Sequence, residues 1–512
     1  MMAQHAPDTI TESSALQFAA RLLKVGVIVC MVAIIPLRGI GLCNAPKELV
    51  LDIAGLGAAA LCLFSTSRIE LDSVDLCFAG FLLLSIASAC FAAVDQWEAM
   101  RAFAMSAAGF AVYWCARYLS GRGFRQRLIE AVALATVIVA IGVLFDAIGV
   151  TDHLSYARPG GTLGNRNWAA HLLALGMPLL AFGAVSRWKR RFALSLIPLL
   201  LTTAAMVVAR SRAGWIAMAF GTIGPLIFLA ISARRSSQSS SAALRTLAVI
   251  AVGIVAGAIL PTELQWHARH PYTETLRTIV KFDSGSGHGR VEQYRNSLTI
   301  VSNHKLLGVG PANWKIVYPA YAPDAAAPGD PAWNVPTRSN SDLFGIAAER
   351  GVPAILLLLA ALIILAIRSL RSIFDDARST TPDACVESMT MLGILIALAI
   401  VGALDAVLQL PAPAFVFFLS IGALTPRCEA LWSIQPGSRA RLASAIATAS
   451  FGALVSVYLV NGMYVSELLS RGTPASLRHA SRLALDEQWL HAQALWDERA
   501  RQLAPGVYPG CD

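Results

Sequence analysis

Arginines recur beside breaks in an otherwise apolar chain, where a guanidinium fork is well placed to hold an anion. Arg166 follows Arg158-Pro159-Gly160-Gly161-Thr162-Leu163-Gly164-Asn165, Gly-rich backbone leading into an Asn-capped helix start. Such a start leaves main-chain N–H groups that an anion can occupy, and Asn165 joins Arg166 as a candidate for that contact. Arg210 and Arg212 flank Ser211 in a short gap between apolar runs. Arg290, in Gly287-His288-Gly289-Arg290, and Arg295 and Arg338 lie in the longest polar stretch of the chain. A lone arginine at a membrane boundary usually snorkels to lipid headgroups. Planar forks from Arg166, Arg212 and Arg290, gathered on one face, would instead suit the oxygens of a phosphate or diphosphate.

The elements that must position these residues are membrane helices. The chain is 56% hydrophobic and 14% charged, with mean hydropathy +0.59; no soluble core hides that much apolar surface. Apolar runs of about 20 residues cross a bilayer as helices. The reading is an all-α polytopic membrane protein of about 12–13 spans, near 18–38, 48–66, 74–94, 99–119, 127–150, 167–185, 191–209, 212–232, 245–262, 342–367, 387–408, 412–426 and 442–463. Residues 1–17 form a cytoplasmic N-terminus, 18–262 and 342–463 two parts of the bundle, 263–341 a folded loop, and 464–512 a helical-repeat-like tail. The opening residues lack a basic start and a small-residue cleavage site, so the first span is expected to remain in the mature chain.

Basic residues set the orientation. Arg122/Arg125/Arg127, Arg187/Lys189/Arg190/Arg191, Arg234/Arg235/Arg245, Arg368/Arg371/Arg378 and Arg427/Arg439/Arg441 fall in alternate short loops, which are expected inside. The net charge of +9 is therefore largely topogenic and does not imply nucleic acid. The 151–166 loop, the 209–212 turn and the 263–341 loop then share the outer face, and the tail after 463 lies there as one helical hairpin seated on the loop or a partner. A loop of that length is functional or disordered, and its Gly turns, aromatics and helical periodicity argue that it is folded.

Other features are weaker. The nine cysteines include no CxxC or Cys/His spacing and read as small buried hydrophobes, with neither disulfide nor metal site. Leu307-Gly308-Val309-Gly310-Pro311 lacks the following Lys-Ser/Thr of a nucleotide loop. Asp146 and Asp405, in apolar runs, mark a polar pathway or helix–helix hydrogen bonds. Trp314, Tyr318, Tyr321 and Trp333 either pack the loop or stack on sugar rings.

Taken in order, Gly161-Thr162-Leu163-Gly164-Asn165-Arg166-Asn167, Ser211-Arg212-Ala213-Gly214-Trp215, Gly289-Arg290, Leu306-Leu307-Gly308-Val309-Gly310-Pro311-Ala312-Asn313-Trp314 and Asp342-Leu343-Phe344 with Ala348-Glu349-Arg350-Gly351 resemble the motifs of the O-antigen ligase/polymerase superfamily. The resemblance covers roughly residues 20–430. It implies a metal-independent, cofactor-free glycosyltransferase of the bacterial inner membrane, with its active face periplasmic. Its substrates would be an undecaprenyl-diphosphate-linked glycan and a lipid A–core or other glycan acceptor in the bilayer. Ligase-type transfer is favoured over polymerisation of an O-antigen or exopolysaccharide. From other classes, a lipid-linked-glycan transporter and a non-catalytic glycan-binding protein remain alternatives.

On that reading Arg290 and Arg212 stabilise the leaving diphosphate. Arg166, Arg210, Arg338, Asn165 and His288 bind diphosphate or glycan. The family typically places a histidine nine residues before the glutamate of its Ala-Glu-x-Gly stretch; counting back from Glu349 finds Asn340. An amide orients a hydroxyl or sugar but does not take its proton as imidazole does. Asp342, Glu349, His288 and His304 are then the alternatives for a base, each with a plainer account: helix-capping charge for Asp342, an ion pair with Arg350 for Glu349, and surface positions for the two histidines.

Overall fold

A computed structural model describes residues 14–34, 44–151, 155, 157–185, 192–232, 237–264, 266, 270–278, 286–322, 336–376, 382–425, 430–471 and 473–485. The bundle is built from α1 (Ser14–Val32), α2 (Ala45–Ser65), α3 (Ser73–Phe91), α4 (Gln96–Leu119), α5 (Arg125–Ala147), α6 (Arg166–Val185), α7 (Phe192–Ala209), α8 (Arg212–Met218), α9 (Gly224–Ser232) and α10 (Ser237–Ile259). The long loop contributes α11 (Pro271–Arg277), α12 (Ser286–Asn303) and α13 (Trp314–Val317). The chain closes with α14 (Asp342–Arg350), α15 (Val352–Asp376), α16 (Pro382–Leu404), α17 (Pro411–Leu424), α18 (Ser438–Arg471) and α19 (Pro474–Leu483). Among the described residues, ten helical stretches are long and apolar enough to cross a membrane; Gln96–Ala147 is one of these and turns at Ser120–Phe124 into α4 and α5. Leu196–Ala209 and Pro411–Leu424 are shorter apolar helices. The protein is an all-α polytopic membrane protein.

Helix α17 lies at the centre. Every one of its residues is buried, as expected of a helix apolar on all sides. It packs on α4, α5, α6, α2 and α16. Small residues permit the close approaches: a side chain at Gly422 would meet the Tyr113 carbonyl of α4, and one at Gly55 the Ala108 carbonyl. On the face of the basic loops, Arg117 reaches Asp75 at 2.6 Å and Asp72 at 3.2 Å, and Arg368 reaches Asp72 at 2.6 Å. This cluster binds α3, α4 and α15 together. Beside it, β1 (Ile69–Leu71) pairs antiparallel with β2 (Trp432–Ile434).

Two boundaries differ from the sequence reading. The single span expected over 342–367 is two helices, α14 and α15, broken at Gly351, whose φ is +84°. The break receives the Leu306–Gly310 turn. Val309 and Gly310 donate to the carbonyls of Ala348 and Glu349 at 2.9 Å, and Val352 donates to that of Lys305 at 2.8 Å. A Cβ on Gly351 would run into the Leu306 carbonyl, and one on Gly308 into the Glu349 backbone. Hydropathy alone does not show such a joint, because both flanks are helical. The other difference lies at the last span, which runs unbroken to Arg471 rather than ending near 463. Helix α19 folds back on it, with Ala480 against Val465, Leu468 and Leu469. The rest of the expected tail hairpin, to Pro505, lies outside the described residues.

The loop packs around a small core formed by Ile300, Val309, Trp314, Tyr318 and Ala322 with Ala348 of α14. Trp314 is fully buried and its Nε1 donates to Ser297 Oγ at 3.0 Å. Tyr318 packs on it with ring centroids 4.3 Å apart. These two aromatics therefore fill the loop interior; Trp333 lies outside the described residues.

Candidate active site

The site begins where α6 starts. Asn165 Oδ1 accepts the Asn167 N–H at 2.9 Å, and the Asn165 carbonyl accepts Ala169 at 3.0 Å. The preceding glycine amides, expected to be open to an external anion, carry an internal one. Gly160 and Gly161 donate to Asp146 Oδ2 at 2.8 and 2.9 Å, and Arg158 Nε donates to Oδ1 at 2.8 Å. The Gly-rich loop is thus clamped onto the end of α5. Asp146 serves that purpose and was legible only as a carboxylate in an apolar run.

The guanidinium of Arg166 then lies 5.2 Å from the Trp266 ring centroid, and that of Arg210 lies 4.3 Å from it. Arg210 occupies the turn between α7 and α8 with a left-handed backbone (φ 51°), uncommon for a residue with a side chain. Its Nε donates to Thr275 Oγ1 at 3.0 Å. Burial and the nearby charge of Arg166 pull Arg210 below the ordinary guanidinium range. Ser211 caps α8 by accepting Gly214 N–H at 3.4 Å, and Arg212 Nη1 donates to the Thr278 carbonyl at 2.6 Å. Both arginines of the turn are therefore held by α11 and its C-terminal cap.

Arg290 stands in the first turn of α12. Its charge acts on Arg212, on His171 of α6 and on Tyr294. One turn beyond Arg290, the Tyr294 hydroxyl lies 2.9 Å from the Asn340 carbonyl and 3.2 Å from that of Ala403. Burial raises the Tyr294 phenol above its usual value, which keeps it a donor. Asn340 donates from Nδ2 to Gln293 Oε1 at 2.7 Å. Arg338 lies over Trp168, 5.5 Å from its ring centroid. Five sequence-derived arginines, from α6, the α7–α8 turn, α12 and the 336–341 segment, therefore fall in one connected neighbourhood. His288 is exposed on the same first turn of α12 as Arg290.

The acidic candidates are engaged elsewhere. Asp342 Oδ1 accepts Val407 N–H at 3.0 Å and Leu408 N–H at 3.1 Å, and Oδ2 accepts Leu408 at 3.0 Å. It holds the chain between α16 and α17. Burial pushes its carboxyl up to about 7 against the opposing pull of those amides. Glu349 is buried against Arg350, 3.0 Å from its Nη1. Burial raises the Glu349 carboxyl, and Arg350 opposes that rise. His304 ends α12, about 21 Å along the helix axis from Arg290 at 1.5 Å per residue, with its Nε2 3.5 Å from the Tyr321 hydroxyl.

Sequence reasoning did not single out His171. It is buried in α6, its Nε2 3.9 Å from Asp405 Oδ2. A lone histidine in an apolar run carries no signal until the fold brings a carboxylate from beyond α16 to face it.

Residues 197–359 match the family model described as O-antigen ligase. Over those residues the chain is similar to O-antigen ligases. The match extends from α7 to α15 and so contains Arg210, Arg212, Arg290, Arg338, Asn340, Asp342 and Glu349. Arg166, His171 and Asp405 lie outside the match yet border the same site. Members of the O-antigen ligase family are enzymes of the glycosyltransferase type. No curated protein matches the chain.

Proposed function

We propose that the region similar to O-antigen ligases, with α6 and the α16–α17 junction, forms a glycosyltransferase of the bacterial inner membrane. It takes a glycan from an undecaprenyl-diphosphate carrier at the periplasmic face and passes it to a lipid A–core acceptor. An acceptor hydroxyl attacks the anomeric carbon, and the carrier diphosphate departs. Its negative charge is met by guanidinium groups fixed before the reaction begins, which is where preorganised electrostatics contributes most. Arg290 and Arg212 are assigned to the leaving diphosphate. Arg166, Arg210 and Arg338, with His288 and Asn165 nearby, line the approach of carrier and glycan, and Asn340 orients a sugar hydroxyl.

The observation that carries this reading is the proximity of Arg212 and Arg290. They come from segments far apart in the chain, and Arg290 stands close enough for its charge to act on Arg212. Like charges are brought together at such a cost where a polyanion binds between them. The test is incubation of purified protein with an undecaprenyl-diphosphate-linked oligosaccharide and a lipid A–core acceptor, reading release of undecaprenyl diphosphate. Arg290→Ala and Arg212→Ala should each abolish release. Full activity in both would overturn the assignment. Binding of the carrier-linked oligosaccharide without release by the wild type would indicate a glycan-binding protein. Elongation of the carrier-linked glycan itself would indicate a polymerase.

A further inference from the structure

Resting on that transferase reading, we infer that Asp405 is the proton acceptor of the reaction and that His171 is its positioning residue, a role left open by the amide at Asn340. The other candidates are held in structural tasks. Both oxygens of Asp342 accept backbone amides, Glu349 is locked to Arg350, and His304 sits at the far end of α12. Asp405 follows the last turn of α16. Its Oδ1 accepts its neighbour Ala406 N–H at 2.8 Å, while Oδ2 faces His171 Nε2 at 3.9 Å. The aspartate side chain is 12% exposed and the imidazole 1%, so the carboxylate stands on the open side of the pair and the histidine behind it.

The pair also stands in the right place. Two residues before Asp405, the Ala403 carbonyl contacts Tyr294 of α12. The charges of Asp405 and Arg290 both act on Tyr294 and on His171. The Tyr294 contact thus brings the end of α16 against α12, with Asp405 two residues beyond Ala403 and Arg290 one turn before Tyr294. Nδ1 of His171 is buried without a hydrogen-bond partner. The gap of 3.9 Å is longer than a hydrogen bond. Catalytic contacts of this kind commonly tighten only when substrate is bound.

The step balances without a further reagent. The acceptor oxygen forms its bond to the anomeric carbon as the bond from that carbon to the diphosphate oxygen breaks. The bonding pair leaves with the diphosphate toward Arg212 and Arg290, and the hydroxyl proton passes to Asp405 Oδ2. The imidazole of His171, fixed in α6, holds the carboxylate toward the hydroxyl.

The experiment uses the full-length protein with an undecaprenyl-diphosphate-linked oligosaccharide and a lipid A–core acceptor, following release and donor binding separately. Asp405→Asn should lower turnover at least about 100-fold, the scale of a lost general base, with donor binding preserved. Asp405→Glu should retain part of the rate. His171→Gln should lower turnover less and shift the acid limb of the pH–rate profile. Among the described residues, Asp405 interacts with His171 from α6, Tyr294 from α12 and Asp342 from α14, and Arg290 acts on the same His171 and Tyr294. Wild-type turnover in Asp405→Asn, or a loss fully explained by weaker donor binding, overturns this inference alone. Should Asp405→Asn fail to fold, an unchanged pH profile in His171→Gln overturns it. No release by the wild type overturns the transferase reading and this inference with it.

Discussion

The hydroxyl of Tyr294 lies 2.9 Å from the carbonyl of Asn340, joining the helix that carries Arg290 to the segment that returns the chain to the bundle. Because Ala403 lies at 3.2 Å from the same hydroxyl, one phenol ties three parts of the site together. Tyr294→Phe leaves the ring packed on Phe344 and removes only the donor. These carbonyls are only partly buried, so leaving one unpaired costs about 1 kcal/mol, the low end of the range for a lost partner. Transfer should fall several-fold by the corresponding loosening of Arg290, while the melting temperature of the detergent-solubilised protein changes by only a few degrees. Unchanged kinetics would mean that the tie does not position the site.

The joint between the Leu306–Gly310 turn and Gly351 gives a second prediction. Gly308→Ala and Gly351→Ala each place a methyl against backbone at a positive φ. Neither neighbour is a flexible side chain that can move aside, so each substitution should destabilise the loop by more than the roughly 1 kcal/mol of a compatible glycine replacement. Limited proteolysis should then cut between residues 304 and 322 in the variants and spare the wild type.

Trp314 should matter for stability rather than for sugar binding. Removing a fully buried indole costs about 3–5 kcal/mol. Trp314→Ala should therefore lower the melting temperature and expose the loop to protease. Trp314→Phe should recover most of the packing and keep transfer. A variant that melted like the wild type but lost glycan affinity would reverse this assignment.

Asp342 sets a pH dependence of stability. Its folded carboxyl is raised to about 7, above the unfolded aspartate value of about 3.9. The folded state therefore keeps a proton that the unfolded state releases. The contribution is fully present below about pH 4 and is lost as the pH rises through about 7. Melting temperatures recorded from pH 5 to pH 8 should fall, and Asp342→Asn should flatten that slope. An equal slope in the variant would place its origin in another group.

Much of the fold was legible because membrane helices advertise themselves. Runs such as those of α3, α15 and α16 need only length and apolarity to be recognised, and the arginine pattern groups the loops without further information. The arginines of the proposed site stand out for a similar reason, since Arg210, Arg212 and Arg290 interrupt or flank apolar stretches. What stayed hidden depends on contact. Asp146 filling the Gly160–Gly161 amides, and Asp342 holding the α16–α17 junction, are pairings between segments whose separation carries no local pattern. The pairing of His171 with Asp405 is hidden in the same way, although Asp405 itself stands out as a carboxylate in an apolar run. Each is one polar residue in an apolar run, and only helix packing turns the two into a pair.

The salt cluster of Arg117, Asp72, Asp75 and Arg368 fastens α3 at one end, and the Ser88 hydroxyl fastens it at the other by donating to the Glu349 carbonyl at 2.9 Å. A stave riveted at both rims does not gape in the middle. Parting α3 from α4 and α15 would have to undo both fastenings at once.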